Sequence, residues 1–399
     1  MTAATPASPP SGRLPRTVYA LGLVSFCTDL GSEMIVPLLP LFLASLGGSM
    51  LQLGALQGIS DLLVAGLKLA SGVWSDRQQR RKPWLVVGYG LSALVRPLFA
   101  VVQGPWQAVL VRSGDRIGKG LRSAPRDALL ADSVGPDQRG AAFGVQRAMD
   151  HAGAFGGALL GSVALALGCE VRTVFALALV PGLLAVAALV FGVREASGAH
   201  PARGKVVDPP GAVRRLLPFL VMVVLAAIAT SVDLFLLARA SQLGVPPAQL
   251  PLLWMVLHAV RSALARPFGS VSDRLGRRGV IACGLVAHTV VMLGFAWADA
   301  AVWLWPLFAL HGLHAACTEG AERGYVADLT GAPKRGTVFG VYHAVQGLGA
   351  LAGPLLLGWV YDRWGGKEAF LVASGAAVAA LAVLALVVPP GRPTPGSAC

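Results

Sequence analysis

Along the chain, runs of about twenty or more mainly apolar residues, each long enough to cross a hydrocarbon core of roughly 30 Å, alternate with short polar stretches. Six lie near 17–45, 52–74, 83–102, 107–131, 141–168 and 172–193, and six more near 215–243, 248–271, 279–298, 303–327, 336–360 and 369–389. Apolar runs of this length predict membrane-spanning helices, because backbone in lipid has to satisfy its own hydrogen bonds. Between the two sets stands "REASGAHPARGKVVDPPGAVRR", basic and rich in Pro and Gly. The pattern predicts a bundle of six helices over 1–193, a cytoplasmic linker loop over 194–214 and a second six-helix bundle over 215–399.

Composition agrees with a multi-pass membrane protein: 55% of the 399 residues are hydrophobic and 13% charged, where a soluble domain is nearer a quarter charged. The net charge of +13 raises nucleic acid as a partner, but no soluble segment exceeds about twenty residues, too little for a basic binding face. Placement of the cations accounts for it instead. One set of loops holds Arg13, Arg16, Arg77, Arg80, Arg81, Lys82, Arg139, Arg194, Arg203, Lys205, Arg214, Arg215, Arg274, Arg277, Arg278, Lys334, Arg335 and Arg392, and the other only Arg172, Arg363 and Lys367. The positive-inside rule then puts both termini in the cytoplasm. The five cysteines stand singly, with no disulfide or zinc spacing. The apolar stretch after Arg16 is too long and lacks the cleavage site of a signal peptide, so it reads as a retained first helix.

The halves repeat each other. "GVWSDRQQRRK" at 72–82 matches "GSVSDRLGRRG" at 269–279, and "ADSVGPDQRGAAFGV" at 131–145 matches "ADLTGAPKRGTVFGV" at 327–341, at nearly constant offset. An all-α membrane protein of twelve transmembrane helices in two six-helix pseudo-symmetric halves follows, with a substrate site between the halves near the midplane. The G-x-x-x-D-R-x-G-R-[KR] loop in both halves resembles the signature loop of the major facilitator superfamily. The resemblance implies conformational latches at Gly72, Asp76, Arg77, Arg80 and Arg81 and at Gly269, Asp273, Arg274 and Arg277. Gln79 departs from the pattern where the second copy keeps Gly276, which implies a less tight first turn. The fifth span, "GVQRAMDHAGAFGGALLG", keeps Gly144, Gly153, Gly157 and Gly161 of a motif of the family's drug/proton antiporters but lacks its proline, while the eleventh has Gly353 and Pro354. This supports export, although small residues every fourth position are also ordinary helix-packing chemistry.

Ionisable groups inside the membrane cost about 2.5 to 3.5 kcal/mol each at the bilayer centre, so they mark function. Asp29 and Glu33 in the first span are four residues apart, hence on one helix face. Their repulsion disposes one of them to hold a proton, as a proton carrier requires; the alternative is structural pairing with cations of the fourth span. Further inward candidates include Asp61, Arg96, Asp150, His151, Asp233, His258, Arg261, Glu319, Glu322 and Arg323. His311, His314 and Cys317 recur at intervals of three and raise a metal site, but that spacing drifts round a helix, and a polar cavity lining is expected instead.

The densest charge is "RSGDRIGKGLRSAPRD" at 112–127. On a helix at about 100° per residue, Arg112, Asp115, Arg116, Lys119, Arg122, Arg126 and Asp127 occupy one arc of roughly 140°. Facing lipid they would cost on the order of 20 kcal/mol, so they face protein or water, as a charged wall of a translocation path. The span resembles the family's fourth-span motif, which implies a proton-coupling role for Arg112, and with "SEMIVPLLPLF" it looks like a bacterial subgroup that includes drug and metal-resistance exporters. No catalytic motif is present and no cofactor is expected. The expectation is a monomeric, alternating-access transporter in the cytoplasmic (inner) membrane, in contact with lipids and protons. It exports a small solute, anionic or zwitterionic rather than a lipophilic cation, by proton antiport; import of a small anion by proton symport, or export of a divalent metal or chelate, are the alternatives.

Overall fold

A computed structural model describes residues 14–78, 80–135, 138–193, 195, 212–329 and 335–388, and every regular element among them is helical. In the first half, α1 (Arg16–Glu33) runs through a 3₁₀ turn at Val36–Leu38 into α2 (Leu39–Ser45), followed by α3 (Met50–Gln78), α4 (Lys82–Val95), α5 (Pro105–Asp132) and α6 (Arg139–Ala166). The pair α7 (Val171–Leu177) and α8 (Leu179–Ala187) completes that half. In the second, α9 (Ala212–Thr230) and α10 (Asp233–Gln242) share one span and precede α11 (Leu250–Leu275), α12 (Arg277–Trp297), α13 (Leu304–Leu329), α14 (Arg335–Trp364) and α15 (Gly366–Leu386). End to end these form twelve helical segments at the twelve predicted runs. Among the described residues nine segments are apolar enough by composition to cross a membrane, and α5, α6 and α13 are not among them. Those three carry many of the inward charges, among them Arg112, Asp150 and Glu322. The predicted linker, apart from Glu195 and the first residues of α9, lies outside the described residues, as does Gln79.

Many large apolar side chains, among them Leu94, Leu110, Leu183, Phe191 and Leu386, are exposed. A surface of that kind is stable only against lipid. The first and seventh spans are both interrupted at the equivalent place: α1 gives way at Met34–Ile35, with Pro37 just beyond, and α9 stops at Thr230, two residues before α10 begins.

The buried core is arranged differently at the two ends. At the end away from the basic loops, residues of both halves, including Met34, Leu38 and Phe42 with Val232, Phe235 and Leu253, form one continuous cluster. At the end bearing the basic loops the core divides, with one cluster around Val18, Leu21, Leu85 and Leu129 and another around Phe219, Met222, Ile281 and Tyr325. The closed end is sealed by α3 against α14. A Cβ on Gly54 would drive into the Pro354 carbonyl, and one on Gly58 would meet the Leu351 carbonyl at 2.9 Å, so the two backbones touch without intervening side chains. Both Asp362 carboxylate oxygens accept backbone N–H groups of α3, from Met50 and Leu51, each at 2.8 Å. A carboxylate of one half thereby caps a helix N-terminus of the other. Beside α6, Ser162 Oγ donates to the Ala248 carbonyl at 2.6 Å.

Inside the first half, α4 and α5 cross at Gly88 and Gly118, where a Cβ on either would stand within 2.7 Å of the other's carbonyl oxygen. That close crossing encloses Asp115, which has no exposed surface. Arg96 Nε donates to its carboxylate at 2.8 Å, while Arg116 and Arg112 stand 2.9 and 3.6 Å away. Arg96 Nη1 also donates to the Thr28 carbonyl at 2.8 Å, which draws α1 into the same cluster.

Removing one member of a buried charge cluster strands the rest and costs about 3–5 kcal/mol. Asp115→Asn is expected to lower the apparent melting temperature of the purified protein in detergent, and Arg96→Met in the same chain to recover part of the loss; an Asp115→Asn protein that melts like the parent rejects the clamp. At the seam, Gly54→Val has no room while the closed end stays shut. Spin labels on the α3 and α14 ends there should move apart in this variant, and an unchanged distance distribution refutes the packing argument.

Candidate functional site

On the basic side of the seam, a cavity of about 180 Å³ is lined by residues of the second half. Its wall in the second half is polar because three helices turn charged faces inward. From α9 and α10 come Thr230 and Asp233, from α11 Arg261, and from α13 His311, His314, Thr318, Glu319, Glu322 and Arg323, closed by Tyr342 and Gln346 of α14. The charges are matched within this wall: Arg261 pairs closely with Glu319, the Tyr342 hydroxyl donates to Glu322 at 2.8 Å, and His311 Nε2 lies 2.9 Å from Asp233. Arg323 is exposed.

The first half presents charged groups of its own from α1, α3 and α5. Asp29 and Glu33 lie within electrostatic reach of one another and of Lys119, whose side chain is exposed. Asp61 of α3 is in reach of Arg112, Arg116 and Lys119 on its own side and of Asp233 across the cavity. Glu33 makes a direct link between the halves, accepting a hydrogen bond from Trp254 Nε1 of α11 at 2.6 Å. The Nε atoms of Arg112 and Arg116 are buried and have no partner among the described residues.

The helical arc of charge on α5 is therefore divided by its neighbours. Asp115 turns to α4, and Arg122 follows it, its guanidinium 4.5 Å from the Tyr89 ring centre and donating to Ser92 Oγ at 2.6 Å. Lys119 stays on the cavity. Nearer the basic end, Arg126 pairs with Asp127 at 3.1 Å and donates to Ser25 Oγ at 3.2 Å, with Asp150 of α6 in electrostatic reach.

The loop residues occupy the basic end. Gly72 lies in α3 against Ala124 of α5, and Asp76 and Arg77 end the same helix with side chains outside the described residues. Arg80 is exposed, and Arg81 is buried in a close ion pair with Asp132. The second half repeats that pairing, with Arg277 holding Asp328 at 2.6 Å and Asp273 at 2.9 Å. Gly269 is in α11 near exposed Arg274, and Gly276 takes φ 94°, a left-handed conformation that suits glycine where α11 turns into α12.

Among the described residues no three His, Cys, Asp or Glu side chains come together in a way that would hold a metal ion. His311 and His314 line the cavity, whereas Cys317 is buried in the apolar core beside Ala321. Sequence reasoning missed Trp254, Tyr342 and His288. The first two read as ordinary membrane-helix aromatics, and nothing in "GLVAHTVVML" distinguishes His288 from a lone core histidine.

The sequence profile of the Major Facilitator Superfamily matches residues 21–266 and again 216–398. An uncharacterized MFS-type transporter of Methanocaldococcus jannaschii is 32% identical over 361 residues, covering 87% of this chain and 89% of that protein. The multidrug resistance protein MdtH of Klebsiella pneumoniae is 27% identical over 352 residues, 86% of each. A crystal structure of the nucleoside transporter NupG has a TM-score of 0.81 at 15% identity, covering 93% of this chain and 100% of that one, a likeness of fold alone. With that profile over nearly the whole length, repeated halves and paired signature loops, the chain belongs to the major facilitator superfamily and is a membrane transporter of a solute.

Proposed function

We propose that this transporter exports a small anionic or zwitterionic organic solute across the cytoplasmic membrane in exchange for protons. The observation that carries the reading is the charged cavity of the second half, with groups of both signs on its wall and Asp61 of the first half in electrostatic reach of its Asp233, beyond the end that is shut by backbone-to-backbone packing. With both termini and the basic loops in the cytoplasm, as the positive-inside rule has it, the cavity is open inward, ready to take up cytoplasmic solute. The two bundles, 1–193 and 215–399, rock about it as a monomer, and the seam of α3 and α14 is the gate to the outside. Export is supported by the likeness to a protein named for multidrug resistance.

Charge balance points to the solute class. Asp115 neutralises part of the cationic cluster on α5, and Lys119 with the inner edges of Arg112 and Arg116 remains toward the cavity, opposed by Asp29, Glu33 and Asp61. A carboxylate or phosphate on the solute would take the cations and leave an acidic group free to carry a proton, while an amine would meet Asp29, Glu33 or Asp61. A purely lipophilic cation would leave Lys119 unanswered.

Proteoliposomes with an imposed pH gradient, offered anionic metabolites, metal chelates, cationic drugs and divalent metals in parallel, test this. Anionic or zwitterionic solutes are expected to move against the proton flow. Transport of cationic drugs alone rejects the solute class, and solute and proton moving together replaces antiport by symport. Asp29→Asn and Glu33→Gln are each expected to abolish gradient-driven transport while leaving solute counterflow; active transport at the parental rate removes both residues from the coupling.

A further inference from the structure

The interruption of the seventh span exposes backbone in the membrane interior. When α9 stops at Thr230, the carbonyls of its last turn lose their helical donors where lipid has nothing to offer. His288 of α12 answers one of them, with Nε2 3.0 Å from the Ala229 carbonyl oxygen. A carbonyl only accepts, so Nε2 carries the hydrogen. His314 is fixed in the same way, with Nδ1 2.8 Å from the Gly284 carbonyl. Each of these two rings has a structural task and one defined tautomer.

His311 is different. Its ring packs beside the other two, with centroids 5.5 Å from His288 and 5.7 Å from His314, which are 4.7 Å from each other. Nε2 meets Asp233, the first residue of α10, at 2.9 Å. Nδ1 is buried with no hydrogen-bond partner among the described residues, and so is His288 Nδ1. The imidazole is 5% exposed while the Asp233 carboxylate is 38% exposed, on the cavity. The remaining charged or titratable groups facing this pair are His258 and Arg261 on α11, His288 on α12, His314 on α13 and, from the other half, Asp61 on α3.

We propose that His311 and Asp233 together hold a proton of the exchange, in addition to the coupling carboxylates Asp29 and Glu33, and that the broken seventh span passes its arrival and departure to the rocking of the halves. Without the added proton, a neutral imidazole donates Nε2–H to the carboxylate and the pair carries one negative charge. With it, the pair is neutral, the proton resting on the Asp233 carboxylate or on the buried His311 Nδ1. The charge of the pair acts across the cavity. Asp233 and Asp61 belong to opposite halves, and closing the basic end removes the water that separates two negative charges, which is costly in a medium of low dielectric. Loading the proton removes that repulsion and permits closure. The movement reaches the other half directly, because Leu234 N–H, next to Asp233 at the start of α10, donates to Gln57 Oε1 of α3 at 3.4 Å.

This inference rests on proton coupling, and its test reads the proton without any solute. The full-length protein, labelled with ¹⁵N-histidine and reconstituted in lipid nanodiscs, is followed from pH 5 to pH 9 by its imidazole nitrogen signals. One ring, identified by its loss in His311→Gln, is expected to change protonation state, while the signals of His288 and His314 stay neutral. Asp233→Asn should weaken the proton affinity of that ring about tenfold, one pH unit, and Asp233→Glu should largely restore it, which supplies the assignment if His311→Gln does not fold. Spin labels across the basic end should approach one another as the ring takes up its proton in the parent protein, and lose that dependence in Asp233→Asn. A His311 that does not titrate, a midpoint indifferent to Asp233→Asn, or a titration with no change in distance each overturns the assignment while leaving antiport open. Solute flux indifferent to an imposed pH gradient in a protein whose His311 does titrate rejects antiport instead.

Discussion

Asp115 is the constraint around which the first half is assembled. Three guanidiniums, Arg96, Arg112 and Arg116, converge on a carboxylate that water does not reach. In a lipid-embedded bundle such a cluster is tolerable only if it is complete, because each stranded charge would cost several kcal/mol. Completeness fixes geometry: Arg96 has to come from the residue that caps α4, its second hydrogen bond has to reach α1, and α4 has to approach α5 closely enough that only Gly88 and Gly118 fit at the crossing. With α5 held in that rotation, Lys119 is left on the cavity face. A cation facing the solute path is thus a consequence of how an ion cluster one turn away is buried.

The second half solves a related problem with backbone instead of side-chain charge. The break between α9 and α10 frees carbonyls and N–H groups at depth, and the groups that answer them, His288 and Gln57, come from different helices and different halves. A continuous helix would need no such partners and would transmit no strain to them. Discontinuous helices near the midplane, at equivalent places in the two halves, put the least self-sufficient backbone of the molecule beside the charged cavity, where small movements of one half alter the hydrogen bonding of the other.

Much of this was legible in the sequence, and the limits have physical causes. Span positions follow from hydropathy, because the bilayer imposes one length on every helix, and the repeat announced the two halves. The charges of α5 were rightly placed on one arc, but a helical wheel gives direction and not neighbour, so it did not separate Asp115 and Arg122, which face α4, from Lys119, which faces the cavity. Arg96 stood out as an inward charge without its partner being nameable, since the pairing depends on which helices cross. The break at Thr230–Val232 carries no Pro or Gly to announce it. His288 and the His311–Asp233 pair depend on α10, α12 and α13 meeting, which no local pattern encodes.

The closed end shows why so tightly packed a seam can still serve as a gate. Where α3 meets α14 the contact is between glycine faces and backbone, so parting them tears apart no large interlocked side chains. The polar bonds there end on groups that water serves equally well. The Met50 and Leu51 N–H groups held by Asp362 lie at a helix terminus, and the carboxylate is exposed, so solvent entering an opening seam would replace both hydrogen bonds at little net cost. The buried clamp around Asp115 has no such substitute. At the α3–α14 seam, then, the polar contacts are ones water can replace, whereas the clamp within the first half is not, which favours movement of the bundles over rearrangement inside them.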